Sequence, residues 1–272
     1  MTVSTVRSGV GLRYVQVFAL AEDYPAATST TAYEGVSISG ARSLSITDPE
    51  PRQINHVGDD RLFALDVLPP TEPVTAELRV AKVNDTLDAV LGDDLAFTVG
   101  EAQMFGVGTS NRGEEDQVGI LAYRQALDTD PTSSSYGTRR WSFYIIPKAI
   151  VVSREGSMDD NPEEKVYSIY PQLTKEHLWG LAFSTATEGF LQAQIIRGVS
   201  EYKPHIVAWQ VADTAAVTLS FPSAYPAQST SKITVWHDGV LITPGTLATG
   251  SIEFAGGSLS TSDYVVCFYE VA

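Results

Sequence analysis

The stretch GTRRWSFYIIPKAIVV, residues 137–152, carries the most emphatic strand signal in this chain of 272 residues. Its aromatic and β-branched side chains favour extended backbone, and Pro147 and Lys148 stand near its centre. A polar and acidic connection, residues 153–164, follows it, and no recognisable catalytic group lies close by. The stretch therefore predicts a long strand with an architectural role, and it raises the hypothesis that the protein is a building block of an assembly.

Alternation with a period of two residues extends the strand prediction to much of the chain. In VSISGARSLSIT, residues 36–47, four apolar residues fall on even positions and small hydroxyl residues fall on odd ones, with Gly40 as a bend. VTAELRVAKV, residues 74–83, alternates in the same way. Further strands are predicted at residues 13–20, 60–68, 117–125, 140–152, 165–171 and 193–199.

One short helix is predicted at residues 84–91. Asn84 is a suitable N-cap, acidic residues Asp85 and Asp88 suit the positive end of the helix dipole, and Gly92 ends the pattern. The apolar stripe of this helix consists of Leu87, Val90 and Leu91.

The pattern changes at Lys203-Pro204-His205, after which short strands alternate with tight turns. His237-Asp238-Gly239 has the composition of a hairpin turn. These strands are predicted at residues 206–211, 215–221, 232–236, 239–242, 251–254 and 263–271. Residues 1–205 are therefore predicted as one β domain with long loops, and residues 206–272 as a small β-sandwich that needs support from its neighbour. The predicted fold class is all-β, a curved sheet with one short α-helix plus a C-terminal sandwich.

Four long polar connections separate the strands of the first domain: residues 21–34, 101–116, 127–139 and 153–164. Loops of this length are uncommon in a compact domain unless they are functional or disordered. Contacts with neighbouring copies of the chain are one explanation, and simple flexibility is the other.

Composition restricts the classes of partner. Hydrophobic residues make up 43% and charged residues 19% of the chain, and the formal net charge is −15. The low charge leaves neutral surface that copies of the chain could cover, although an ordinary β protein explains it equally well. The acidic excess disfavours binding to nucleic acid or to an anionic membrane surface. No N-terminal signal and no run of 18 apolar residues is found, so neither secretion nor a membrane span is predicted.

No constellation of catalytic or metal-binding residues stands out. The single cysteine, Cys267, alternates with apolar residues and is predicted to be a buried hydrophobe. The acidic clusters lack the alternating spacing of a calcium loop, and GVGTSNRG, residues 106–113, lacks the pattern of a phosphate loop. The histidines are far apart in sequence: His56, His177, His205 and His237. We therefore predict no catalytic residue, cofactor or metal, and a protein that is not an enzyme. Paired carboxylates for glycoside cleavage stay open, because such partners need not be close in sequence.

Aromatic residues are plentiful, and together they would suit a sugar-binding platform. Most lie in strand patterns, where core packing is the ordinary explanation. The residues concerned are Trp141, Phe143, Tyr144, Tyr167, Tyr170, Trp179, Phe183 and Phe190.

Several segments together resemble the major tail tube proteins of long-tailed, siphovirus-like bacteriophages. The resemblance rests on the predicted helix and on the segments SISGARSLSITDPEPRQINHVGDDR, DVLPPTEPVTAELRVAK, WSFYIIPKAIVV and KVYSIYPQLT. The C-terminal segment ITVWHDGVLITPGTLATGSIEFAGGSLSTSDYVVCFYEV is similar to the small Ig-like β-sandwich that is appended to many phage virion proteins.

The resemblance implies a structural virion protein that forms rings, usually hexameric, stacked into a tail tube. Each subunit would contribute a curved sheet to a continuous barrel wall, with the helix outside, and long loops would join the rings. The implied partners are copies of the chain and other tail proteins, and the location is the phage tail, assembled in the host cytoplasm. Double-stranded DNA would pass through the lumen during ejection without specific binding. We expect acidic or neutral side chains along the bore, because lysines would hold the phosphates.

Two alternatives stay open. The first is another virion component, such as a capsid decoration protein, a tail-completion protein or a baseplate adhesin. The second is a carbohydrate-binding or carbohydrate-active β protein, which would need a concave site with aromatic side chains.

Overall fold

The computed structural model describes most of the chain, with gaps. The described residues are 7–21, 24–38, 40–50, 52–58, 61–68, 73–81, 87, 90, 94–99, 102–107, 117–128, 131–132, 136–154, 165–172, 195–211, 217–238 and 240–271. Within these ranges the protein is built almost entirely from antiparallel β-strands, as the sequence predicted.

The structure describes thirteen strands in the N-terminal part. They are β1 (Arg7–Ala21), β2 (Tyr24–Pro25), β3 (Val36–Ile38), β4 (Ala41–Thr47), β5 (Arg52–Gly58), β6 (Arg61–Leu68), β7 (Thr75–Val80), β8 (Asp94–Val99), β9 (Ala102–Val107), β10 (Gln117–Asp128), β11 (Arg139–Arg154), β12 (Lys165–Pro171) and β13 (Ile196–Ser200). The C-terminal part contains the remaining strands. They are β14 (Lys203–Gln210), β15 (Val217–Ser220), β16 (Ile233–His237), β17 (Val240–Ile242), β18 (Thr246–Leu247), β19 (Ser251–Phe254) and β20 (Tyr264–Val271).

The main sheet closes on itself. Its strand order is β2-β1-β10-β11-β12-β7-β4, which places β1 and β4 toward opposite ends. Strand β3 pairs with β1, and β4, which follows two residues later, pairs with β7. Residues 36–47 therefore join the two ends of the sheet, with the bend near Gly40 that the sequence predicted. We call this closed sheet the barrel.

The barrel interior is an apolar core to which all of its main strands contribute. Alternation in residues 36–47 is confirmed, because Ile38 is buried while Ser37, Ser45 and Thr47 are exposed. The same alternation buries the apolar face of β7. The buried members of this core are Val15, Val17, Ile38, Ala76, Leu78, Val80, Leu87, Val118, Ile120, Ala122, Ile146, Ala149, Val151, Tyr167 and Ile169.

Strand β11 confirms the long strand predicted from residues 137–152, and its geometry explains the proline at its centre. The register with β10 shifts between the pairs Val118–Ala149 and Ile120–Ile146, so a β-bulge surrounds Pro147. On the opposite edge, β11 pairs with β13 up to Ile145 and with β12 from Ala149 onward. Pro147 therefore lies where the strand changes partners, a position at which a missing N–H leaves no gap in a ladder.

The C-terminal strands form two sheets that pack face to face as a sandwich. One sheet has the order β14-β20-β16-β17 and the other has the order β15-β19-β18. The predicted hairpin turn joins β16 to β17, and Asp238 adopts a φ of 44° there. The core between the sheets includes Val207, Trp209, Leu219, Phe221, Ile252, Phe254, Cys267 and Tyr269.

The sandwich packs on the outer face of the barrel, which gives it the support that its short length required. Phe18, Leu121 and Ile145 project outward from β1, β10 and β11. They contact Ile206, Ala208 and Val266 on strands β14 and β20. Strand β14 is consequently buried on both of its faces.

Residues 24–34 of the connection predicted at 21–34 are held by hydrogen bonds within their own chain. Tyr33 and Ala208 exchange two backbone hydrogen bonds, with N–O distances of 2.8 and 3.0 Å. The Gln210 N–H donates to the Ser29 carbonyl at 3.0 Å. The loop thereby covers the outer edge of β14, an edge that would otherwise offer unpaired backbone groups.

The remaining predicted loops and the predicted helix have different outcomes. The connection at residues 127–139 is a closed turn, because the Asp128 N–H donates to the Thr138 carbonyl and the Gly137 N–H donates to the Asp128 carbonyl. Residues 102–107, which the sequence predicted as part of a loop at 101–116, instead form strand β9. The rest of that connection, residues 155–164 of the loop predicted at 153–164, and most of the helix predicted at 84–91 lie outside the described residues. Leu87 and Val90 have helical geometry, and the Leu87 side chain is fully buried in the barrel core.

Gly35→Ala is expected to lower the free energy of unfolding by about 2 kcal/mol or more. Gly35 has a φ of +63°, and an added Cβ would collide with the Val17 carbonyl. Gly40→Ala is the matched control, because a Cβ there meets nothing within 4 Å. Urea unfolding of both variants measures the difference, and equal losses would contradict the constraint inferred at Gly35.

Candidate functional site: unpaired hairpins and an aromatic cleft

Two hairpins stand apart from the barrel and the sandwich. Strands β5 and β6 pair only with each other, and so do β8 and β9. Among the described residues, neither hairpin is hydrogen-bonded to a strand of any other sheet. In the described part of the chain, each hairpin therefore presents two edges whose backbone groups pair with no other strand.

The connections within the hairpins are short, so their registers are well defined. Gly58 pairs with Arg61 in the first hairpin, and Val99 pairs with Ala102 in the second, so two residues form each turn. A two-stranded sheet is marginal by itself in water. Long unpaired edges also invite pairing with another chain. The hairpins are thus the part of this fold that is left incomplete.

An aromatic cleft of about 390 Å³ lies between the barrel and the sandwich. On the barrel side, β1 contributes Tyr14, β10 contributes Tyr123 and β11 contributes Trp141. The Tyr14 and Tyr123 rings stack with their centroids 5.0 Å apart. The Trp141 ring meets the Tyr123 ring edge to face, at 5.3 Å and an interplanar angle of 87°. The three rings therefore form a corner of apolar surface.

On the sandwich side, the cleft is bounded by His205 and Tyr225. Their rings stack with centroids 4.7 Å apart, and Tyr269 packs edge-on against His205 at 5.4 Å. The Tyr269 hydroxyl donates to the Tyr225 carbonyl at 3.0 Å, which fixes the loop that carries Tyr225. The second wall is therefore held by packing within the sandwich.

The charged side chains that line the cleft are both basic. Arg13 and Lys203 stand at its rim, and the Lys203 ammonium lies 5.9 Å from the centre of the Trp141 ring. No carboxylate is among the described residues that line the cleft. In a chain with 33 acidic and 18 basic residues, this local balance is the reverse of the overall one.

A buried polar pair lies behind the cleft. His205 is 2% exposed, and its Nε2 is 3.6 Å from Oε1 of Glu34, beyond hydrogen-bond distance. Both atoms are buried, and neither has a hydrogen-bond partner among the described residues. Buried polar atoms without partners are rare in folded proteins and often mark a place for a water molecule or a ligand.

The Tyr14 and Tyr123 hydroxyls stay protonated near neutral pH. Burial raises the pKa of Tyr14 to about 12, although a hydrogen bond with Ser37 acts in the opposite direction. Burial also raises the pKa of Tyr123 well above its ordinary value. Both hydroxyls are therefore neutral rather than phenolates, and the Tyr14 hydroxyl is already hydrogen-bonded to Ser37.

Most residues that the sequence analysis singled out lie far from one another in the structure or outside its described part. Cys267 is fully buried in the sandwich, as predicted, and burial raises the pKa of its thiol. Tyr167 belongs to the barrel core, whereas Trp141 belongs to the cleft. Tyr144 lines a separate, smaller cavity. Trp179, Phe183, Phe190 and His177 lie outside the described residues, as does the side chain of His56.

Sequence reasoning missed the close approach of three ionisable residues at the sandwich hairpin. The His237 Nε2 lies 2.6 Å from Asp263 Oδ2 and 3.5 Å from Asp238 Oδ2. Asp263 also accepts from the Ser260 N–H, and Asp238 accepts from the Tyr264 N–H. These bonds brace the turn and account for the cluster. Adjacency of His237 and Asp238 was visible in the sequence, but the strand pairing that adds Asp263 was not.

Among the described residues, no helix has the length and apolar character needed to cross a lipid bilayer. No protein-family model matches this chain, and a comparison with curated proteins finds no match either.

Proposed function

We propose that this protein is a structural subunit that assembles with copies of itself into stacked rings, and that the assembly is the tail tube of a long-tailed bacteriophage. The observation that carries the proposal is the pair of hairpins, β5–β6 and β8–β9, whose outer edges have no partner among the described residues. Hairpins of adjacent subunits that pair edge to edge would form a continuous β wall. Closure of that wall into a ring removes every free edge.

The rest of the fold supports an arrangement in which the hairpins form the contacts between subunits and the remaining sheets are complete within one chain. The barrel closes within one chain, and the sandwich and the loop at residues 24–35 cover its outer face and the edge of β14. The body of the subunit can therefore fold before assembly. In this arrangement the wall strands are those of the two hairpins.

The acidic composition suits a lumen through which DNA slides. The formal net charge of −15 repels the phosphates of DNA. We expect few lysines or arginines along the bore, because they would hold those phosphates. The proposed partners are therefore copies of the chain, other tail proteins and DNA that passes without specific binding. A bore ringed by arginine and lysine would contradict this part of the proposal while leaving the tube itself intact.

The assembly state of the full-length chain tests the proposal. We expect negative-stain electron microscopy of the purified protein at high concentration to show long tubes of uniform width, and sedimentation to show a critical concentration. Discrete closed particles would favour another virion component, such as a decoration or baseplate protein. A protein that stays monomeric at every concentration would overturn the proposal.

A further inference from the structure

We infer that the aromatic cleft binds an acidic saccharide, that is, a pyranose that carries a carboxylate. This site is separate from the hairpins, and the inference does not depend on tube formation. It rests on three properties of the cleft: the shape of its aromatic wall, the sign of the charges at its rim and the state of its hydrogen-bonding groups.

The aromatic wall favours a sugar ring over a flat heteroaromatic ring. Tyr123 and Trp141 stand at 87° to each other, so they form a corner and not a pair of parallel plates. A planar base is held best between parallel rings, whereas the C–H faces of a pyranose can contact two rings at an angle. The volume of about 390 Å³ is at the lower end of the range for small-molecule pockets and suits one or two sugar units.

The basic side chains at the rim of the cleft favour a negatively charged ligand. Arg13 and Lys203 are exposed, and neither forms an ion pair with any residue that the structure describes. Because no acidic side chain is among the described residues that line the cleft, a carboxylate on the ligand would supply these two groups with a counter-charge there. A neutral sugar would offer these two groups no counter-charge.

The hydrogen-bonding groups suit a hydroxylated ligand. The Tyr123 hydroxyl is protonated, and Tyr225 and the ring of His205 line the opposite wall of the cleft. The His205 ring is held by stacking on Tyr225, so its orientation is fixed before a ligand arrives. Preorganised polar groups of this kind favour binding because little side-chain freedom is lost.

The test uses the full-length chain, with digalacturonic acid as the acidic probe and galactobiose as its neutral counterpart. We expect titration calorimetry to give a dissociation constant of about 1 mM or tighter for the acid, and binding of the neutral disaccharide at least about fivefold weaker. Affinity for the acid should fall as salt is raised, because the rim charges are exposed to solvent. Competition by polygalacturonate would indicate a sugar within a polymer, and its failure to compete would indicate a free or terminal sugar.

Matched variants locate the binding. Arg13→Ala and Lys203→Ala should each weaken binding of the acid by about fivefold and leave binding of the neutral disaccharide unchanged. Arg139→Ala is the control, because Arg139 is an exposed arginine on β11 that does not line the cleft. Trp141→Phe should abolish any change in tryptophan fluorescence on binding.

Two results would overturn the inference. One is the absence of binding of both disaccharides at about 10 mM, a concentration about tenfold above the expected dissociation constant. The other is equal affinity for the acidic and neutral probes together with no effect of Arg13→Ala or Lys203→Ala.

Discussion

Gln103→Pro is expected to abolish tube formation while the subunit itself remains folded. Val99 and Ala102 flank a two-residue turn, and such a pair exchanges both of its hydrogen bonds. The next pair, Thr98 and Gln103, then directs its N–H groups away from the partner strand. Proline at position 103 removes the outward donor and places a ring at the edge. We expect the critical concentration for assembly to rise at least about tenfold, which corresponds to about 1.4 kcal/mol per subunit.

Gln103→Ala provides the control, because it shortens the side chain and keeps the backbone N–H. It should form tubes at the parent concentration. Far-UV circular dichroism and urea unfolding of both variants report on the barrel and the sandwich, which do not include this hairpin. Normal tubes from folded Gln103→Pro would show that the edge of β9 is not an assembly surface.

Gln16→Leu is expected to lower the free energy of unfolding by about 3 kcal/mol or more. Gln16 is fully buried between the barrel and the sandwich. Its Nε2 donates to the carbonyls of Glu34 and Ile206 at 2.7 and 2.9 Å, and its Oε1 accepts from the Ile206 N–H at 3.4 Å. Leucine would leave these backbone groups without partners in the interior, at a cost of about 1–3 kcal/mol for each group.

Gln172→Leu is the matched control, since it makes the same chemical change at a half-buried residue that donates to the Tyr170 carbonyl at 3.2 Å. We expect that variant to lose less than about 1 kcal/mol. Limited proteolysis gives a second readout, because a weakened contact between barrel and sandwich should expose the junction at residues 201–202. Equal stability losses in the two variants would show that Gln16 does not join the two parts of the fold.

Local pattern was sufficient to identify most strands. The predicted strands at residues 117–125, 140–152 and 165–171 are observed as β10, β11 and β12, with differences of a few residues at their ends. Period-two alternation works there because one face of each strand is buried in an apolar core. The burial of Cys267 followed from the same pattern.

Pairing between segments that are distant in sequence could not be predicted from local alternation. Strand β14 shows why, because six consecutive residues from Pro204 to Trp209 are buried and alternation disappears when both faces are covered. The loop at residues 21–34 looked as though it needed a neighbour, and its partner turned out to be Ala208 and Gln210 of the same chain. The cleft has the same origin, since its rings come from β1, β10, β11 and a loop of the sandwich.

The sequence by itself determined that this protein is all-β, where most of its strands run and that Cys267 is buried, because hydrophobic alternation is a property of neighbouring residues. Only the tertiary structure decided that the barrel closes within one chain, that two hairpins pair with no other sheet in the described part of the chain and that Trp141 lines the cleft rather than the core. These features depend on which strands lie side by side, and strand pairing joins residues far apart in the chain whose spacing leaves no local signal.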